Sequence, residues 1–118
     1  MAAARIAPSI ESLEILEDLY AWEDDALVRR LLEAHPETHE PLIHAAGLVP
    51  RYFGSGARLS LEVDYDREGS GPPTLAATIY TSQSPTEAFS SLDRFDDDWW
   101  LDAMVNVHRH VSFHLRFV

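Results

Sequence analysis

Two histidines near the end of the chain, His108 and His110, have the spacing best suited to metal chemistry. Alternate residues of a strand point to the same face, so both imidazoles would lie together if this segment is extended. Zn²⁺ takes imidazole nitrogens at roughly 2.0–2.1 Å. The chain has no cysteine, so a carboxylate such as Glu62 or Asp64 on a neighbouring strand would complete the site. His114 would lie about 13 Å from His110, too far to share the ion.

A simpler interpretation of the same residues competes with the metal site. Acidic residues on one strand of a sheet pair with histidine and arginine on the next. A solvated, charged sheet face therefore explains the pattern without an ion. We favour this interpretation and expect no cofactor.

The acidic stretch 96–98 is followed by two tryptophans, a combination that favours protein binding. Hard cations usually take ligands from a loop or from more than one element, which argues against a metal site within a single helix. Tryptophan, in contrast, is enriched among the residues that contribute most to interfaces. We therefore expect Trp100, Asp96 and Asp97 to contact a partner.

The composition narrows the class of partner. The 118 residues include 20 acidic and nine basic residues, all nine of them arginine, for a net charge of −11. Phosphate binding needs a basic surface, so we expect no direct contact with nucleic acid and a basic protein as partner. Without lysine there is no Schiff-base chemistry, and no Gly-x-Ser-x-Gly nucleophile motif occurs. We therefore expect a non-catalytic protein.

The apolar stretches are short. None approaches the roughly 20 residues that span a bilayer, and the first residues lack the apolar run of a signal peptide. We therefore expect no membrane contact and a cytoplasmic location, with which the absence of cysteine agrees.

The first 54 residues show the apolar spacing of helices. We expect one helix over about 9–22, a second from 24 or 25 to 34, and a third over 36–46. Gly47 follows directly and is the residue type that commonly ends a helix.

From residue 55 onward the pattern alternates, which predicts strands over 58–65, 74–81 and 108–117. Ser84 and Glu87 have the spacing of a capping box, which begins a long helix between the second and third strands. Because this helix carries the chain back along the sheet, we expect three antiparallel strands in the order 2-1-3. The predicted fold is α+β: one domain, 1–118, with a helical part (1–54) and a ββαβ part (55–118) whose long helix covers the sheet.

The apolar stripe of the long helix predicts which tryptophan is buried. Successive residues of an α-helix point about 100° apart, so the two rings cannot both face the core. The stripe places Trp99 in the core and Trp100 at its edge, and it consists of Ala88, Leu92, Phe95 and Ala103.

The stretch 81–101 reads TSQSPTEAFSSLDRFDDDWWL. It resembles a signature of small bacterial proteins in which a strand leads into S-P-E-E-A and then L-x-x-F-D-x-x-W-W-L before a final strand. The segments RYFG (51–54) and LSLEV (59–63) are similar too, and the resemblance covers about residues 25–118. It implies the fold and a cytosolic bacterial origin, together with a loose association with two-gene modules such as toxin–antitoxin pairs. It implies no reaction.

These observations lead to one main hypothesis and two alternatives. The main hypothesis is a non-catalytic, acidic protein-binding module of a bacterial cytosol, antitoxin-like, that engages a basic protein. The first alternative is a small metal-dependent enzyme that uses His108 and His110. The second is a homodimer built through the sheet edge or through the N-terminal helices, because the edges of an open sheet invite pairing with a second copy.

Overall fold

A computed structural model describes residues 10–65 and 71–118 of the chain. Its helical elements include a π-helical turn that follows α4 directly, and two 3₁₀ turns. The elements in chain order are α1 (Ile10–Leu19), β1 (Ala21–Trp22), α2 (Asp25–Ala34), a 3₁₀ turn (Pro36–Thr38), α3 (His39–Phe53), β2 (Arg58–Asp64), β3 (Thr74–Thr81), α4 (Pro85–Phe95), the π turn (Asp96–Trp100), α5 (Leu101–Ala103), a second 3₁₀ turn (Met104–Asn106) and β4 (Val111–Phe117).

The four strands form a mixed sheet in the order β1-β2-β3-β4. β1 is parallel to β2, β2 is antiparallel to β3, and β3 is parallel to β4. The α+β class is confirmed, but the predicted three-stranded antiparallel sheet is wrong, because β4 lies beside β3 and not beside β2. A helix that joins parallel strands returns the chain next to the strand it left. β3, which is buried from Leu75 to Ile79, suits the central place that this gives it.

The additional strand β1 lies where the first helix was expected to continue. The α-helix ends at Leu19, and β1 pairs with β2 at Ser60 and Leu61. The Glu23 amide then donates to the Leu61 carbonyl at 2.8 Å. Asp24 follows with φ 61°, a left-handed conformation that aspartate tolerates better than most residues. A strand of two residues is too short to show a period of its own.

The third helix does not end at Gly47, which corrects that expectation. α3 continues through Gly47 and Pro50 and ends at Gly54, whose φ of 101° favours glycine. Glycine costs a helix about 1 kcal/mol relative to alanine, and burial of the helix's apolar stripe offsets this cost. The stripe is fully buried and consists of Leu42, Ala45, Val49 and Phe53.

The helices and the sheet share one hydrophobic cluster. α1 and α2 contribute Leu16 and Val28, the sheet contributes Leu61 and Ala77, and α4 contributes Phe95, all fully buried. The opposite face of the sheet is polar. This cluster joins the helical part of the chain to the strands.

The predicted capping box at the start of α4 is confirmed. The Glu87 amide donates to Ser84 Oγ at 3.2 Å, and the Ser84 amide donates to Glu87 Oε1 at 3.2 Å. The long helix is not continuous, however. The Leu101 amide donates to the Asp96 carbonyl five residues earlier, which is the π-helical pattern.

The π turn reverses the expected positions of the tryptophans. A π turn contains one residue more than an α turn, so Trp100 and not Trp99 lies on the same face as Phe95. Trp100 is only 8% exposed, whereas Trp99 is half-buried and donates its indole N–H to His44 Nδ1 at 3.1 Å. The expectation that Trp99 occupies the core and Trp100 its edge is therefore wrong.

Candidate functional site

A groove with a volume of about 690 Å³ opens at the β1–β2 edge of the sheet. We call it the edge groove. Its walls come from the end of α1, the last turns of α3 and the beginning of β2. Apolar side chains line its floor, among them Leu19, Val49 and Leu59, and acidic side chains lie around it.

The first residues of β2 form one wall of the edge groove. β1 pairs with β2 only at Ser60 and Leu61, so within the described part of the chain no strand lies alongside Arg58 and Leu59 on the groove side. Alternate residues of a strand direct their backbone groups to the same side. Because the Leu61 carbonyl accepts from Glu23, Leu59 directs its backbone groups to the same edge. The parallel register with β1 pairs the Leu59 carbonyl with Ala21 and leaves the Leu59 amide directed to the groove side.

Two carboxylates of the edge groove have no cationic partner among the described residues. Glu17 is paired with Arg29 at 2.9 Å, but Asp18 and Glu23 make no ion pair in residues 10–65 and 71–118. The one arginine of the lining, Arg58, lies over the Tyr80 ring at 5.8 Å. The groove therefore presents net negative charge.

A buried hydroxyl adds an unsatisfied polar atom to this site. Ser60 is 2% exposed, and its Oγ has no hydrogen-bond partner, alone among the buried side-chain polar atoms of the described residues. Ser60 also lines the edge groove. Buried polar atoms are nearly always hydrogen-bonded, so this enclosed hydroxyl is an exception within the described part of the chain.

The residues expected to bind a partner lie in the π turn and do not line the edge groove. Asp97 is exposed and Asp96 is half-buried. Burial, followed by the charges of Asp93 and Asp97, raises the pKa of the Asp96 carboxyl. Trp100 has turned into the core, so it presents little surface to a partner. Binding by Asp96 and Asp97 stays a prediction.

The structure does not bring the expected metal ligands together. β4 begins at Val111, so His108 and His110 lie in the preceding turn and not on a strand. His108 Nδ1 bonds the Met104 carbonyl at 3.2 Å. Glu62 accepts from Thr78 Oγ1 at 3.0 Å, on the polar face of the sheet.

His110 instead meets residues from the α2–α3 corner. Its ring stacks on His35 with 3.7 Å between centroids, and its Nε2 lies 3.5 Å from Glu37 Oε2. Burial, followed by the neighbouring His35, lowers the pKa of the His110 imidazole. The sequence offered no signal for this grouping, because the partners are separated by more than half of the chain.

None of the described helices combines the length and the apolar character that a membrane span requires. Comparisons of the chain with protein-family models, with curated proteins and with solved structures found no match. The shape and charge of the edge groove are therefore the basis on which a function can be argued.

Proposed function

We propose that the protein is a non-catalytic acidic module that binds an extended, basic segment of a protein partner in the edge groove. The observation that carries this proposal is the start of β2 at Arg58 and Leu59, alongside which no strand lies within the described residues. Asp18 and Glu23 are next to it and make no ion pair within the same residues. A peptide that adds to a sheet edge gains main-chain hydrogen bonds, and pockets for alternate side chains select its sequence.

The charge of the whole chain supports a basic partner. A net charge of −11 attracts cationic proteins over long distances and raises the rate of association, an effect that salt screens. Close to the surface, the groove's own carboxylates determine where the partner settles. The same charge repels nucleic acid.

A module that covers the basic surface of another protein is suited to an antitoxin-like role. In such a pair the acidic protein neutralises its partner by occupying a surface that the partner needs. We extend the proposal to this role and to the bacterial cytosol, in keeping with the resemblance of residues 25–118.

A peptide assay tests the groove directly. The probe is the hexapeptide Arg-Val-Arg-Val-Arg-Val. It is compared with a version of the same peptide in which every backbone amide along one of its two strand edges is N-methylated. We expect the methylated peptide to bind at least about tenfold more weakly, because each lost backbone hydrogen bond contributes about 0.5–1.5 kcal/mol. Isothermal titration calorimetry measures both affinities, and equal affinities would exclude strand addition.

Two double variants with the same change in charge locate the site. Asp18→Asn with Glu23→Gln removes two charges from the edge groove, and Asp96→Asn with Asp97→Asn removes two from the π turn. Long-range steering changes equally in both, so only the first should weaken peptide binding at the site itself. If the Asp96→Asn, Asp97→Asn variant instead lost more affinity for the peptide, the binding site would lie at the π turn.

A homodimer joined through β4 is a second candidate, favoured by exposed aromatic rings beside that strand. β4 forms the opposite edge of the sheet. Phe89 and Phe117 are 54% and 45% exposed, and their ring centroids lie 6.0 Å apart. Residues 103–118 contain no acidic residue, so charge repulsion between copies is weaker here than elsewhere.

Light scattering at rising protein concentration tests this dimer. If β4 pairs with its copy, the mass should double, and Phe117→Glu should restore the monomer because pairing would have to remove the new charge from water. Phe89→Ser removes the neighbouring exposed ring without adding a charge, and it should weaken the dimer less than Phe117→Glu. A monomeric mass at all concentrations would rule the dimer out.

A further inference from the structure

We infer that His35, Glu37 and His110 form a binding site for a first-row divalent metal ion, with Zn²⁺ as the ion that fits best. We call these residues the His–Glu cluster. Each contributes one ligand atom, and the three atoms lie within 4.8 Å of one another. No other three histidine or acidic residues in the described ranges meet this condition. The inference does not depend on the edge groove or on a protein partner.

The distances within the cluster are close to those of a tetrahedral site. Ligands about 2.0–2.1 Å from a tetrahedral zinc ion lie about 3.3 Å from one another. Glu37 Oε2 is 3.5 Å from His110 Nε2 and 3.8 Å from His35 Nδ1. The two separations are within about 0.5 Å of this value, and the stacked imidazole rings must also turn out of their stack so that both ring nitrogens face one ion.

The three side chains converge without bonding one another. Charge-assisted hydrogen bonds between imidazolium and carboxylate measure about 2.7–2.9 Å, shorter than both contacts of Glu37. The two imidazole rings are stacked with an angle of 16° between their planes, a contact without a hydrogen bond between the ring nitrogens. A cation held between the nitrogens and the carboxylate would join all three groups at once.

The backbone on both sides of the cluster is held in place. The His35 amide donates to the Leu31 carbonyl at the end of α2, and the His35 carbonyl accepts from Thr38 N–H and Oγ1. On the other side, the His110 amide donates to the Val107 carbonyl, and the His110 carbonyl accepts from Leu75 of β3. These hydrogen bonds hold the backbone that carries both histidines, so an ion has to order their side chains alone.

The donor set and its exposure indicate the kind of ion. Two imidazoles and one carboxylate suit Zn²⁺ and its first-row neighbours, whereas Mg²⁺ and Ca²⁺ prefer oxygen ligands alone. The exposed fractions of the three side chains are 29%, 33% and 30%. Water can therefore reach the fourth position that a three-residue set leaves to a non-protein ligand.

The ion would join distant parts of the chain. His35 and Glu37 belong to the α2–α3 corner, whereas His110 leads into β4. An ion that binds only the folded state stabilises that state by mass action. The ion would therefore cross-link the helical part of the chain to the last strand.

Zinc titration of protein without a polyhistidine tag tests the site. After removal of metal by a chelator, calorimetry should show one Zn²⁺ per chain, and Zn²⁺ should raise the midpoint of thermal unfolding. Glu37→Gln and His110→Gln should weaken the affinity at least tenfold and abolish the rise in midpoint. Co²⁺ binding to the unchanged protein, followed by visible absorption, should show the spectrum of a tetrahedral site.

His108→Gln is the matched control, because it removes an exposed histidine two residues away in the same turn. It should leave both the stoichiometry and the affinity unchanged. Circular dichroism of each variant confirms that the fold is retained, and Glu37→Gln keeps the test valid if His110→Gln does not fold. Absence of stoichiometric zinc, or equal losses in His108→Gln and His110→Gln, would overturn the inference.

Discussion

Replacing Trp100 with alanine is expected to lower the free energy of unfolding by about 3–5 kcal/mol, the usual cost of removing a large core side chain. Trp100 is 8% exposed, and its ring meets that of Phe113 on β4 edge-to-face, with 4.7 Å between centroids. The substitution removes the closer of the two ring contacts that the π turn makes with Phe113 on the last strand. Such a loss approaches the whole stability of a small domain.

Trp99→Ala is the matched control, because it removes the same side chain from the neighbouring position. The Trp99 ring is half-buried and packs on Phe95 at 5.3 Å between centroids. We expect it to cost roughly 1–2 kcal/mol, in line with an aromatic contact at a partly exposed site. Urea melts of both variants measure the difference. A greater loss for Trp99→Ala would mean that α4 continues as a regular α-helix.

Deletion of a single residue should be far more harmful at Asp93 than at Asp97. Asp93 lies in α4, two residues before Phe95, whereas Asp97 lies in the π turn. Deleting Asp97 converts the π turn to an α turn and leaves Phe95 and Trp100 one regular turn apart on the same face. Only side chains at the surface of the turn then change direction.

Deleting Asp93 rotates Phe95 by about 100° out of the core even if the π turn absorbs the missing residue. Phe95 is fully buried, and its ring contacts those of Tyr52, Phe53, Trp99 and Phe113. We expect a cost of at least about 3–5 kcal/mol, as for truncation of a buried phenylalanine. The loss on deleting Asp97 should stay below about 2 kcal/mol, since the core contacts remain.

Thermal and urea unfolding of the two deletion variants compares proteins of equal length and equal charge. Equal stability losses would contradict the role of the π turn as the place where the extra residue is accommodated. Loss of folding in both variants would contradict it as well, because the Asp97 deletion is expected to fold.

Local chemistry accounts for the parts of the fold that could be predicted. The capping box of Ser84 and Glu87 depends on side chains three residues apart, and it is present as expected. The strands β2 and β3 follow from residues that alternate or remain apolar over a short run. In the same way α2 ends where Pro36 disfavours further helix, since the residue before proline avoids the helical region.

Long-range packing explains the expectations that were wrong. Gly47 is a local signal for the end of a helix, but burial of Leu42, Ala45, Val49 and Phe53 carries α3 past it. Local reasoning could not decide the order of the strands either, because β4 could pair with β2 or with β3. In the structure α4 returns the chain beside β3, and the apolar run of β3 suits the central place that follows.

By itself, the sequence determined the α+β class, the limits of α2, β2 and β3, the acidic charge and the exclusion of cysteine and lysine chemistry. Those properties depend on residue types and on neighbours a few positions apart. Only the tertiary structure decided which tryptophan is buried, where the strand edge is open, and that His35 and Glu37 meet His110. The reason is that a single extra residue in a helical turn rotates everything after it, and contacts between distant segments depend on the sum of such rotations.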